Sequence, residues 1–271
     1  MKGKRGKQVL FYLVILVILF VTIFPFLYMV LGAFKNTADI VNPAKTFHFT
    51  PTLKNFVQVF EVYHFAKPLK NSLLISLGAT GMALIIGLPA AYSMARYRQS
   101  MLQIIVLCIR IIPSIAFLVP VYLMFSKVGL IGTYTGIIFA NMLISVPFVV
   151  WVMIPYFESV PKELEESALI DGASRTRCFF SVMLPLSLPG IMTVTILSFI
   201  NAWNNFMFGL ILGNAKTKIL PTVIFNFLSH TEINWSGLMA AAIIVTLPII
   251  VLSIFLQRYI VQGLTAGAVK G

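Results

Sequence analysis

Apolar residues run without a charge through five stretches of this chain: Gln8 to Phe34, Asn71 to Ala95, Val128 to Phe157, Pro189 to Leu212 and Ile233 to Gln257. Each exceeds the roughly 20 residues that a helix needs to cross about 30 Å of hydrocarbon. A sixth stretch, about Met101 to Phe125, is interrupted by Arg110. It still counts as a span, because Ile111 to Phe125 is strongly apolar and a lone Arg can snorkel or face protein. The pattern predicts an all-α polytopic membrane protein with six transmembrane helices, near 9–34, 71–95, 101–125, 133–155, 189–212 and 237–257. We expect one membrane domain over 1–271, with a polar excursion, 158–188, between helices four and five.

Composition agrees with this and narrows it. With 59% apolar residues, 10% charged residues and a mean hydropathy of +0.96, the chain is too apolar for a soluble domain. The basic N-terminus, Lys2, Lys4, Arg5 and Lys7, precedes an apolar run much longer than the 7–15 residues of a secretory h-region, so an uncleaved first helix is expected. Six spans place both termini on one side. Four basic residues in the N-terminal segment, two at Arg96 and Arg98, three at Lys162, Arg175 and Arg177 and two in the C-terminal segment share that side, against eight on the other. Five of those eight lie in one long loop, which counts for less, so the positive-inside rule puts the termini and the 158–188 loop in the cytoplasm. Contact with anionic lipid headgroups accounts for the net charge of +12. Basic residues interleaved with aromatics on a soluble face are absent, which argues against nucleic acid as a partner.

Candidate chemistry is sparse. His48, His64 and His230 lack metal-ligand spacing, and Cys108 and Cys178 cannot make a disulfide framework. Neither a phosphate loop nor a nucleophile elbow appears, so neither a catalytic nor a metal site is predicted. The polar excursion carries more. Pro161 suits a helix start, Glu163, Glu165 and Glu166 favour its positive end, and Asp171-Gly172 supplies a stop. Ser174 can cap a second helix running to Pro185. Leu164 and Ala168 fall on one face and Glu163, Glu166 and Ile170 on another. Small Ser167 and Ala168 would admit a partner's backbone. Chemistry alone leaves a docking surface and a solvated loop equally open.

Two features lie within the spans. Asn201, Asn204 and Asn205 would share a face of a continuous fifth helix, where an unpaired amide costs a few kcal/mol. With Trp203 they either line a solute path or bond to neighbouring helices, and the latter is favoured. Arg110 is a site candidate by cost alone, with structural pairing equally open.

Spacing adds a resemblance. Glu166-Ser167-Ala168, then Gly172, then Val182, Leu184 and Pro185 is similar to the cytoplasmic loop motif of permease subunits in binding-protein-dependent ABC importers, with Ser167 where Ala is common and Val182 where Ile is usual. Pro25-Phe26-Leu27-Tyr28, Trp203-Asn204-Asn205-Phe206 and the C-terminal Gly263-Leu264-Thr265-Ala266-Gly267-Ala268-Val269-Lys270-Gly271 resemble the second, shorter permease of the maltose-type carbohydrate branch. Asn205 stands where related permeases often carry Glu. The resemblance implies a cell-membrane permease for oligosaccharides or a related polyol compound. It would work with a second permease, two ATPase subunits and an extracellular solute-binding protein. ATP and Mg would be used by the ATPase, with no cofactor on this chain and no catalysis by it. It implies ATPase coupling through Glu163, Glu166, Ser167, Ala168, Asp171, Gly172, Leu184 and Pro185. It also implies a tail, Thr265, Gly267, Lys270 and Gly271, reaching toward the ATPase interface. The rival reading, an ion- or proton-coupled secondary transporter, would call for midplane ionisable groups or repeated spans, and apart from Arg110 neither is seen.

Overall fold

The structure is a computed structural model that describes residues 2–227 and 233–266, with side chains over 7–227 and 233–255. It is all-α. In chain order the helices are α1 (Lys2–Ala33), α2 (Thr37–Ile40), α3 (Lys54–Glu61), α4 (Ala66–Arg96), α5 (Ser100–Ile111), α6 (Leu118–Lys127) and α7 (Tyr134–Ser159). They continue with α8 (Lys162–Ile170), α9 (Arg175–Cys178), α10 (Leu184–Leu186), α11 (Leu188–Trp203), α12 (Phe206–Leu212), α13 (Leu220–Val223) and α14 (Trp235–Ala266). Among the described residues four helices are long and apolar enough to cross a membrane, over 7–33, 66–96, 134–159 and 235–255. The number rises to six if each of two bent helix pairs is one span.

Contacts divide the chain into two compact units, residues 1–66 with 223–247 and residues 67–222 with 248–271. In the first, the most apolar stretch of α1 has none of its residues buried. Its last turn is held from outside the helix: the buried Asn55 side chain of α3 donates to the carbonyls of Ala33 at 2.7 Å and Lys35 at 2.8 Å, satisfying helix-end acceptors that would otherwise be orphaned. Lys35, also buried, donates to the Thr46 carbonyl at 2.7 Å.

The second unit is organised by α4 and α7. Ala79, Ala83, Gly87, Ala91 and Ala95 recur every four residues along one buried face of α4. This small-residue stripe lets two backbones approach where lipid supplies no hydrophobic driving force. A Cβ on Gly87 would stand 2.7 Å from a methyl of Val149 on α7. Against this stripe lie Val149, Met153 and Phe157, with Phe179, Met183 and Val194 completing the core.

Three expectations about the helices change. Asn71-Ser72 does not open the second span, which starts at Ala66. Both residues are buried in α4 and hold another segment: Asn71 donates to the carbonyls of Lys216 and Lys218 at 3.0 and 2.8 Å, and the Ser72 hydroxyl accepts from the Leu220 N–H at 2.8 Å. The third span is broken, with Ser100–Ile111 and Ser114–Lys127 meeting at 93°. Pro113 forces this, since the residue before a proline is driven out of the helical region, and Ile112 sits at φ −64, ψ 124. The fifth span is interrupted as well. α11 ends at Trp203, and Asn205, with extended ψ, caps α12 by accepting the Phe208 N–H at 3.1 Å.

Candidate functional site

The segment after α7 builds its geometry from local signals. Pro161 stands at the N-cap of α8, a position where its missing N–H costs nothing. At the other end Gly172 adopts φ +83, which only glycine takes without strain. Its N–H bonds the Leu169 carbonyl at 3.0 Å, and Ala173 N–H bonds that of Ala168 at 3.0 Å, the paired closure of a Schellman motif. Ser174 then caps α9, its hydroxyl accepting the Arg177 N–H at 3.3 Å. The second helix does not run unbroken to Pro185. It passes from α9 through a π turn, Phe179–Met183, into α10. Pro185 and Pro189 lack the N–H groups an α ladder needs here, and the chain bends by 80° between Leu186 and Leu188.

Around this frame Glu163, Glu166, Ser167, Asp171 and Gly172 are exposed, and Ala168 is half-buried. Leu164 is 46% and Ile170 86% exposed, so α8 offers apolar side chains beside carboxylates. Leu184 is half-buried and Pro185 exposed.

Glu165, on the same helix, turns the other way. It is buried, accepts the Tyr92 hydroxyl hydrogen through Oε1, and faces the Arg96 Nε at 2.8 Å through Oε2. The Arg96 contact is an ion pair by distance whose N–H lies off the hydrogen-bond axis. Arg96 also donates to the Val160 carbonyl at 3.1 Å. Arg175, half exposed, adds a looser contact of 3.5 Å to Oε1. Tyr92 and Arg96 are four residues apart and so share a face of α4. Sequence reasoning missed this group, because Tyr92 and Arg96 lie far from Glu165 along the chain.

The span residues separate. Arg110 and Asn201 line one cavity of about 230 Å³ at the α5–α6 break, with Pro113, Ser114 and Pro147. The Arg110 guanidinium lies 5.1 Å from the Phe148 ring centroid. The expected shared face of Asn201, Asn204 and Asn205 does not form, because the helix stops at Trp203. Asn204 and Asn205 belong to the break. Trp203 is fully buried and stacked on Phe199 at 5.5 Å, so it presents no ring face to a path. Gly267, Lys270 and Gly271 lie outside the described residues, and Thr265 is described only as backbone of α14.

Broken spans, a polar-lined cavity at one of the breaks and a short exposed helix following α7 suit the class of helical membrane transport proteins. Residues 83–266 match the family described as "Binding-protein-dependent transport system inner membrane component". The chain belongs to that family, and is a multi-pass permease of the ABC-importer type. It is 36% identical to a probable ABC transporter permease protein, y4oR, of Sinorhizobium fredii, over 99% of this chain and 98% of that one. It is 33% identical to the trehalose/maltose transport system permease protein MalG of Thermococcus litoralis, over 100% of both chains. A solved bacterial ABC transporter involved in import of the acidic polysaccharide alginate has the same fold, with a TM-score of 0.82 at 20% identity over 96% of this chain and 98% of that one.

Proposed function

We propose that this permease imports a carbohydrate, an oligosaccharide or related polyol compound, delivered by an extracellular binding protein. It does so as one half of a heterodimer with a second permease, driven by two ATPase subunits that bind ATP and Mg. The observation that carries the reading is α8, whose exposed Leu164, Ile170, Glu163 and Glu166 stand on a helix ended by the Gly172 turn. Such a surface suits a cleft in a soluble partner lined by apolar and basic groups. Seated there, α8 would pass nucleotide-driven closure of the ATPase dimer to the spans, while this chain itself catalyses nothing. The termini and α8 then lie in the cytoplasm, as the Lys and Arg distribution favours. The tail from Thr265 through Gly267 and Lys270 to Gly271 reaches toward the ATPase pair. The sugar assignment is supported by the trehalose/maltose relative.

The test is a ligand screen of the cognate solute-binding protein, read by thermal shift against maltose, trehalose, sugar alcohols and amino acids. A sugar or polyol should stabilise it. Stabilisation by amino acids alone would overturn the carbohydrate reading.

A further inference from the structure

Glu165 is spent on none of the docking chemistry. Its neighbours Glu163 and Glu166 are exposed, whereas its carboxylate is withdrawn between two elements distant in sequence. The partners sit on α4: the Tyr92 hydroxyl on Oε1 and the Arg96 guanidinium on Oε2 at 2.8 Å. Tyr92 is itself keyed into the core, its ring 5.9 Å from Phe157 and 5.1 Å from Phe179. Arg96 is tied a second time, to the Val160 carbonyl two residues before α8.

A nine-residue helix is too short to be stable alone. Its apolar side chains give it little packing of its own: Leu164 and Ile170 are exposed and Ala168 and Leu169 are half-buried. α8 leans on the neighbouring α9 and the π turn, and what ties it to α4 is the buried carboxylate. The joint bears chiefly on α4, because the Tyr92 hydroxyl and the Arg96 guanidinium, on one face of that helix, each meet one carboxylate oxygen, while Arg175 of α9 adds only the looser 3.5 Å contact to Oε1.

We propose that Glu165 is a positioning residue for energy coupling, locking α8 to the end of α4 so that a push on the exposed face of α8 moves α4 as one body with it. This rests on the reading of α8 as the ATPase-docking helix. The joint explains why one of three neighbouring carboxylates is buried against two guanidinium groups while the other two stay free.

The experiment places nitroxide labels at Ile86→Cys on α4 and Lys162→Cys on α8, in a Cys108→Ser background. The full chain is assembled with its second permease and ATPase, and the label separation is read by pulsed electron resonance, without nucleotide and with ATP and vanadate. The native joint should give one narrow separation, the same in both states. Glu165→Gln, isosteric but uncharged, should add a second population on the order of 10% or more. Tyr92→Phe, which removes a single contact, should add a smaller one, and it carries the same readout where Glu165→Gln does not accumulate. Val149→Ala, a core lesion in the same unit, should lower thermal stability yet leave the separation narrow, which separates positioning from general weakening. A separation that shifts with nucleotide in the native protein, or one that stays native-like in folded Glu165→Gln, overturns the proposal. Absence of the ATPase from purified native complexes would instead reject the docking reading, and the comparison of native, Gln and Phe proteins without nucleotide would still test the joint.

Discussion

At Arg96 and at Arg110 the chain puts a guanidinium at the end of, or inside, an apolar helix, and it meets the cost in opposite ways. The Arg96 side chain is buried and paired, with the Glu165 carboxylate at 2.8 Å and the Val160 carbonyl at 3.1 Å. Arg110 makes no ion pair among the described residues, and rests against the Phe148 ring beside a cavity of about 230 Å³. The first charge is consumed in holding one element to another. The second is left facing open space at a helix break, where unwound backbone and Asn201 are also available. The two guanidinium groups thus differ in whether a partner carboxylate closes the shell around them.

Substitution at the two sites should expose that difference. Glu165→Ala strands the Arg96 charge and the Tyr92 hydroxyl, and removing one partner of a buried pair costs about 3–5 kcal/mol. A large fall in the thermal midpoint of the purified permease is expected, read by tryptophan fluorescence in detergent. Tyr92→Phe removes one hydrogen bond to a charged group and should cost about 1.5–3 kcal/mol in the same assay. Gly172→Val forces a β-branched residue to φ +83, at a cost of about 1–3 kcal/mol, and nothing stands within 4 Å to clash with the new side chain. Its effect should therefore be local, seen as faster hydrogen exchange of the amides of 168–173 with the core unchanged. Arg110→Leu should be the mildest for stability, within about 1 kcal/mol of the native protein, since no carboxylate is orphaned. If Arg110→Leu melts as low as Glu165→Ala, the contrast between a closed and an open site fails.

Much of this was legible in the chain, for identifiable reasons. Uncharged runs of membrane length located the apolar helices because only a helix can satisfy its own backbone in lipid. Asp171-Gly172 announced the end of α8 because a left-handed residue was needed there. The resemblance carried by Glu166, Gly172 and Leu184-Pro185 pointed to the family that the comparisons show.

What was not legible depended on distant partners or on broken helices. Asn201, Asn204 and Asn205 share a face only if the helix is continuous, and Asn205 is better placed as a cap. Pro113 was visible, but the 93° turn it permits was not. Glu165 looked like one more acid in a helix start because its partner Tyr92 lies 73 residues earlier. Cys178, placed in a polar loop by the sequence, is fully buried, so its labelling would report packing and not membrane side.

The central claim is that α8 is the surface on which a soluble ATPase acts, and cross-linking tests it most directly. A cysteine replacing Ile170, which is 86% exposed, and one replacing Thr50, also exposed, are introduced separately in a Cys108→Ser background. Each is treated with a short bifunctional thiol reagent in membranes that carry the cognate ATPase with cysteines at its surface. The account predicts a cross-linked permease–ATPase product from position 170 and none from position 50. A product from position 50 alone would contradict it, as would none from position 170 in complexes that retain the ATPase.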